Sequence, residues 1–231
     1  VESSNLKKEE IGMLYMGQVL TAGVGQNPAR QAGIFAGLPN ETTNITINQV
    51  CGSGLASIAL AHNSIKCGDS RVIIAGGQES MSNSPHCINI RKDKKINENE
   101  MKDTMIIDGL WDAYNQYHMG ITAENVASKF KISRKEQDIF AFNSQKKTNI
   151  AIKEKKFNDE IVSVPTGKNI NFDKDEFPKL GSSIEKLTKL KSAFKKEGTV
   201  TAGNSSGIND GAAAVCLMPY EMAKKKNIKP L

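Results

Sequence analysis

One stretch, residues 44–77, restricts the architecture more than anything else in the chain. Ile45, Ile47 and Val50 sit among β-branched neighbours and read as a strand. Gly52-Ser53-Gly54 follows, and then Leu55, Ile58, Ala59, His62 and Ile65 recur at helical spacing. Gly68-Asp69 punctuates, and Arg71 to Ala75 gives a short apolar strand ahead of Gly76-Gly77. Strand, helix and strand in this order form a β-α-β unit, whose two strands are expected to be parallel and buried on both faces. The fold class is therefore α/β.

The flanking sequence extends this frame. The first segment reads as the tail of a helix leading into a strand around Glu10 to Leu20. Pro28 opens a helix through Ala29, Ile34 and Phe35 that Gly37 closes. Residues 82–130 are less regular, with a basic stretch at Arg91 to Lys95 and an apolar patch around Met105 to Trp111. Ser133-x-x-Glu136 is a capping box that starts a long helix to about Lys155, with Ile139, Phe142 and Ile150 expected on its inner side. Another irregular section runs to Gly198. Thr199-Val200-Thr201, a turn rich in Gly, Asn and Ser, an apolar strand at Ala212 to Met218 and a last helix at Tyr220 to Lys226 complete the chain.

Composition narrows the function classes. With 231 residues, 39% hydrophobic and 24% charged, the chain suits a globular protein of one large domain, or one domain plus an insertion. No apolar run approaches the roughly 20 residues that span a bilayer, so no membrane segment is expected. Val1 to Glu10 lack the apolar core of a secretory signal and the Arg-rich character of a transit peptide. The net charge of +6 comes from short lysine runs (Lys92 to Lys95, Lys153 to Lys156, Lys224 to Lys226) interleaved with Asp, Glu and Asn. These read as solvated faces rather than a nucleic-acid surface, with a few cations free to meet a phosphorylated ligand. Cys51, Cys67, Cys87 and Cys216 show no C-x-x-C and no regular spacing, so neither a metal site nor a disulfide framework is indicated. A reducing compartment follows: the cytoplasm, or the mitochondrial matrix if a presequence is missing.

Cys51 is the residue that carries chemistry. It lies where the buried strand ends and the helix begins, the edge at which α/β sheets place ligands. The helix N-terminus presents unpaired N–H groups and partial positive charge, which favour the thiolate. Gly52 and Gly54 leave room for an acyl thioester, and the Cys51 N–H is a candidate oxyanion donor. A buried cysteine acting as a small hydrophobe is the ordinary alternative, and it is the reading taken for Cys67, Cys87 and Cys216.

Asn48-Gln49-Val50-Cys51-Gly52-Ser53-Gly54 closely resembles the nucleophile segment of the thiolases, especially the acetyl-CoA acetyltransferases. The likeness extends along the chain through Met16 to Leu20, Gly25 to Ala32, Ala75 to Gly77 with Glu79 to Ser82, Asp108 to Ala113, Tyr117 to Asn125, and Gly198 to Gly207, in the family's order. The resemblance implies a layered α-β-α-β-α architecture, of which this chain holds one incomplete half. Residues 1–81 and 208–231 would form the core, and residues 82–207 an inserted, CoA-binding loop domain, with the second half absent. It implies ping-pong acyl transfer through an acyl-Cys51 thioester, forming or cleaving acetoacetyl-CoA. Coenzyme A thioester then enters as substrate, with no permanently bound cofactor.

By the same resemblance, His118 and Met119 would line the pocket near the acyl group and pantetheine, Leu110 would border the CoA channel, and Ala202 and Ser206 would contact the pantetheine arm. Lys179 falls about where a CoA-contacting arginine is common, Lys186 near a usual hydroxyl residue, Ser192 at a usual proline and Gln78 at a usual methionine. Ser84-Pro85-His86-Cys87 followed by Arg91 is similar to the loop that joins two dimers, so a homodimer or homotetramer is expected. The family's Asn-Glu-Ala-Phe segment, Gly-His-Pro histidine and Cys-x-Gly-Gly-Gly cysteine do not occur in these 231 residues, so the chain alone is expected to turn over poorly or not at all. Two other readings compete with this one: a catalytically dead thiolase-like module binding acyl-CoA or a partner subunit, and a condensing enzyme that uses an acyl carrier protein.

Overall fold

The computed structural model describes residues 4, 6–91, 100–167 and 171–231. Two compact units result: residues 1–111 with 208–231, and residues 112–207.

The first unit is built on a four-stranded sheet of β1 (Met13–Gly17), β2 (Thr43–Ile47), β3 (Ile73–Ser80) and β4 (Asp210–Leu217), in the order β4-β3-β1-β2. Tyr15 of β1 is flanked by Ile45 and Ala75 in parallel pairs, while β4 runs antiparallel to β3. Successive residues of β1 serve opposite cores, as a strand's period of two requires. Leu14 and Met16 pack with Ile11, Ala29, Leu38 and Val72, beneath α1 (Pro28–Phe35) and α6 (Tyr220–Lys225). Tyr15 packs on the other side with Ile73, Ala75 and Ala61 of α2 (Ser53–Cys67). The sheet is thus covered by helices on both faces.

Several local expectations change. β3 continues through Gly76-Gly77 to Ser80, because β4 pairs with it as far as the Asp210–Ser80 partners. β2 and β3 both run parallel to β1, which lies between them, and β2 is an edge strand with Thr43 and Ile45 exposed rather than buried on both faces. Among the described residues no α-helix precedes β1; a 3-10 turn, Lys8–Glu10, lies just ahead of it. Cys67 and Cys87 are exposed, not buried hydrophobes; Cys216 is half-buried, and burial pushes its thiol up from the usual value.

The second unit holds α3 (Met119–Phe130), α4 (Arg134–Lys153) and α5 (Ile184–Thr188). Of these, α3 and α5 fall in stretches that read as irregular. The capping box at Ser133 is formed, with Glu136 accepting from the Ser133 backbone N–H at 2.7 Å. The inner face of α4 differs from expectation: Phe142 is half-buried, Ile139 and Ile150 are exposed, and the fully buried residue is Asp138. The basic run Lys92 to Lys95 lies outside the described residues. Among those described, no helix is long and apolar enough to cross a membrane.

Candidate active site

The local chain path around Cys51 is fixed by hydrogen bonds and one strained residue. After β2 the chain turns at Val50, whose φ of 50° is unusual for a β-branched side chain and stores strain. Ser53, 3% exposed, holds the turn: its hydroxyl accepts from the Gln49 N–H at 2.8 Å and donates to the Val50 carbonyl at 2.6 Å. Asn48 Oδ1 accepts from the Val50 N–H at 2.9 Å. Cys51 is left exposed, one residue before Gly52, the N-cap of α2. Below the turn, Ser57 donates to the Gly76 carbonyl at 2.8 Å, tying α2 to β3.

Gly17 permits this approach. A Cβ there would lie 2.4 Å from the Ser53 carbonyl carbon and 2.5 Å from the Gly54 nitrogen, so only glycine lets the end of β1 meet the start of α2.

Cys51 opens into a cavity of about 480 Å³ in the first unit, whose walls include Val19, Leu20, Gly77, Gln78, Met105 and Leu110. Leu110 closes a π-helical segment, Met105–Leu110, an uncommon winding that recurs at functional sites. Polar groups brace the wall. Glu79 accepts from the N–H groups of Val19 and Leu20 at 3.0 and 2.9 Å. Gln78 donates to Gln18 Oε1 at 2.8 Å, and Gln18 donates to the Leu20 carbonyl at 3.0 Å. Such an environment pairs a nucleophile with a mostly apolar cleft, a combination suited to an acyl group.

Of the sequence-predicted site residues, then, Cys51 and Leu110 share one cleft. His118, Met119, Lys179, Ala202 and Ser206 belong to the second unit. His118 is the N-cap of α3: its Nδ1 accepts from the Gly120 N–H at 2.9 Å, which leaves the proton of a neutral imidazole on Nε2. Its ring stacks on Phe194 at 4.9 Å between centroids, 19° from parallel. Met119 is half-buried, and Ala202 and Ser206 are exposed. Lys179 is exposed with its Nζ 5.6 Å from the Phe177 ring centroid, and Lys186 Nζ donates to the Gly181 carbonyl at 2.7 Å. The sequence reading gave no role to Glu79, Phe194 or the buried Glu124 of α3. A signal for Glu124 was available: Gly120, Glu124 and Ala127 share the inward face of one helix, and a carboxylate on such a face requires partners.

Among the described residues, no group of three or more His, Cys, Asp or Glu side chains could hold a metal ion.

Residues 1–221 match the family described as thiolase, N-terminal domain. The chain is similar to the acetyl-CoA acetyltransferase of Thiocystis violacea, 51% identical over all of this chain and 60% of that protein. It is likewise similar to the acetyl-CoA acetyltransferase of Chromobacterium violaceum, 54% identical with the same coverage of both chains. The crystal structure of the Bacillus anthracis acetyl-CoA acetyltransferase superposes with a TM-score of 0.92 at 38% identity, covering 98% of this chain and 58% of that one. The chain thus spans about 60% of the length of the curated relatives it matches.

Proposed function

Since this chain belongs to the thiolase family, we propose that the protein carrying it forms and cleaves acetoacetyl-CoA through an acyl-Cys51 intermediate. The exposed sulfur of Cys51 at the mouth of the cleft, just ahead of α2, is the observation that carries this reading. As thiolate it attacks the carbonyl carbon of acetyl-CoA; the tetrahedral oxyanion is met by the Cys51 N–H, and the coenzyme A thiolate leaves and takes up a proton. A second acetyl-CoA, having lost an α-proton, attacks the acyl-Cys51 carbonyl. The carbon–carbon bond forms, the carbon–sulfur bond to Cys51 breaks, and acetoacetyl-CoA departs.

The remaining site residues take their roles from the family resemblance. Leu110 borders the channel for the thioester. His118 offers its Nε2–H, and with Met119 it serves the acyl and pantetheine end. Ala202 and Ser206 contact the pantetheine arm, and Lys179 supplies charge for the phosphates as a flexible point cation rather than a planar fork. The substrates are acetyl-CoA and acetoacetyl-CoA, and the assembly is a homodimer or homotetramer.

Two comparisons test the proposal. Cys51→Ser in the protein carrying this chain is expected to lower kcat for acetoacetyl-CoA cleavage by at least about 10³-fold; retained turnover would exclude Cys51 as nucleophile. Matched assays with acetyl groups on coenzyme A or on an acyl carrier protein are expected to favour coenzyme A, and the opposite preference would assign the protein to the carrier-protein condensing enzymes.

A further inference from the structure

Among the described residues, the second unit buries two carboxylates beside the apolar Ala127, Leu187 and Val200, and both converge on one segment. Glu124, 6% exposed, accepts from the Thr199 N–H at 2.8 and 3.0 Å, from the Val200 N–H at 2.8 Å and from the Thr199 hydroxyl at 2.9 Å. It packs against the chain so closely that a Cβ on Gly198 would meet Glu124 Oε1 at 2.3 Å. Asp138, fully buried, accepts from Asn204 Nδ2 at 3.0 Å, and Arg134 Nε donates to it at 2.8 Å. Asn204 in turn accepts from the Thr201 N–H at 2.7 Å and donates to the Thr199 carbonyl at 3.1 Å. Residues 199–204 therefore hang between a carboxylate on α3 and another on α4.

The far side of this segment leads back to His118. The Ala193 N–H donates to the Val200 carbonyl at 2.9 Å, and Ser192 pairs antiparallel with Thr201. The next residue, Phe194, stacks on the His118 ring. His118 caps the helix on which Glu124 lies. The circuit is closed: α3, Thr199-Val200, Ala193-Phe194, His118, α3.

We propose that Glu124 and Asp138 are positioning residues for coenzyme A thioester binding, fixing residues 199–204 and, through Phe194, the orientation of the His118 imidazole. This rests on the assignment of His118, Ala202 and Ser206 to the thioester pocket. The physical reason lies in what buried carboxylates supply. As stability devices they are poor, since desolvation offsets most of their attraction and an apolar pair would serve as well. As geometric devices they are effective: charge-assisted bonds from backbone N–H groups to Glu124, and from the Asn204 side chain to Asp138, give a Gly- and Ser-rich turn one fixed shape before ligand arrives.

The test uses the protein carrying this chain. Glu124→Gln keeps the side-chain shape but turns a donor toward the N–H groups of Thr199 and Val200. It is expected to raise KM for acetyl-CoA about tenfold while kcat stays within about threefold. Alkylation of Cys51 by iodoacetamide, which has no coenzyme A handle, is expected to proceed at the unsubstituted rate. Thr199→Val, which deletes only the hydroxyl, and Asn204→Ala report the same KM rise if Glu124→Gln does not fold. An unchanged KM in folded variants overturns the proposal, as does a parallel loss of kcat, acetyl-CoA affinity and alkylation, which marks a purely structural role. If iodoacetamide leaves turnover of the unsubstituted protein intact, the Cys51 reading itself fails, a result distinct from either of these.

Discussion

Cys51 owes its place to residues that carry no chemistry. Val50 holds a left-handed backbone, Ser53 spans the turn from both ends, and Gly17 lets β1 come within contact of the helix start. Gly17→Ala forces backbone against backbone, so a loss of about 1–3 kcal/mol is expected in denaturant unfolding, together with slower alkylation of Cys51 as the turn is pushed outward. Ser53→Ala removes both the acceptor for the Gln49 N–H and the donor to the Val50 carbonyl and is expected to destabilise by about 1–3 kcal/mol on the same measurement. The nucleophile was legible from the chain because a strand, two glycines and a helical period surround it. Its supports were not. A serine inside a Gly-Ser-Gly turn reads as turn chemistry, and nothing in the string Ile47 to Cys51 announces a strained valine. The carboxylates of Glu79 and Asp138 were equally silent, since a charged residue reads as solvated until its partners far along the chain are known; for Glu124 the helix face signals burial but not the partners, Thr199 and Val200.

At the scale of elements, the core strands were legible and the second unit largely was not. β1, β2 and α2 follow from apolar periodicity that local sequence expresses directly. The extension of β3 through two glycines does not, because glycine is a poor strand former and only the ladder to β4 holds it there. Ile73, fully buried between Tyr15 and α2, anchors that strand, and Ile73→Ala is expected to lower unfolding free energy by about 2–5 kcal/mol. In the second unit α3 and α4 each turn a carboxylate inward, Glu124 and Asp138, so an apolar-stripe reading misplaces Ile139 and Ile150 and overlooks α3. The α3 carboxylate also sets a pH dependence. Burial pushes Glu124 up, but the bonds from Thr199 and Val200 outweigh it and hold the group below its ordinary value of 4.5. A depressed carboxylate stabilises the fold above that ordinary value, and the contribution fades as pH falls through the lower folded value. Unfolding of Glu124→Gln measured across this acid range is therefore expected to show a shallower pH dependence than the unsubstituted protein.

For the whole molecule, length is the governing fact: the curated relatives extend well beyond the 60% of their length that this chain matches. Helix α2 presents Leu55, 74% exposed, on the face turned away from the sheet, and Ala212 to Val215 of β4 are exposed as well. The family resemblance assigns activation of the nucleophile to a Gly-His-Pro histidine and α-proton transfer to a second cysteine, segments that residues 1–231 do not contain. General acid–base groups of this kind supply about 10²–10⁴-fold each. The isolated 231-residue chain is accordingly expected to show no steady-state cleavage of acetoacetyl-CoA under conditions where the protein carrying it turns over.

Trapping the covalent intermediate tests the central claim most directly. The protein carrying this chain would be mixed with isotopically labelled acetyl-CoA, quenched in acid, digested and mapped by mass spectrometry. The expected result is one labelled acetyl group on the peptide containing Cys51, discharged when free coenzyme A is added before the quench and missing in Cys51→Ala. Label on another residue, or turnover with no label on Cys51, would contradict it.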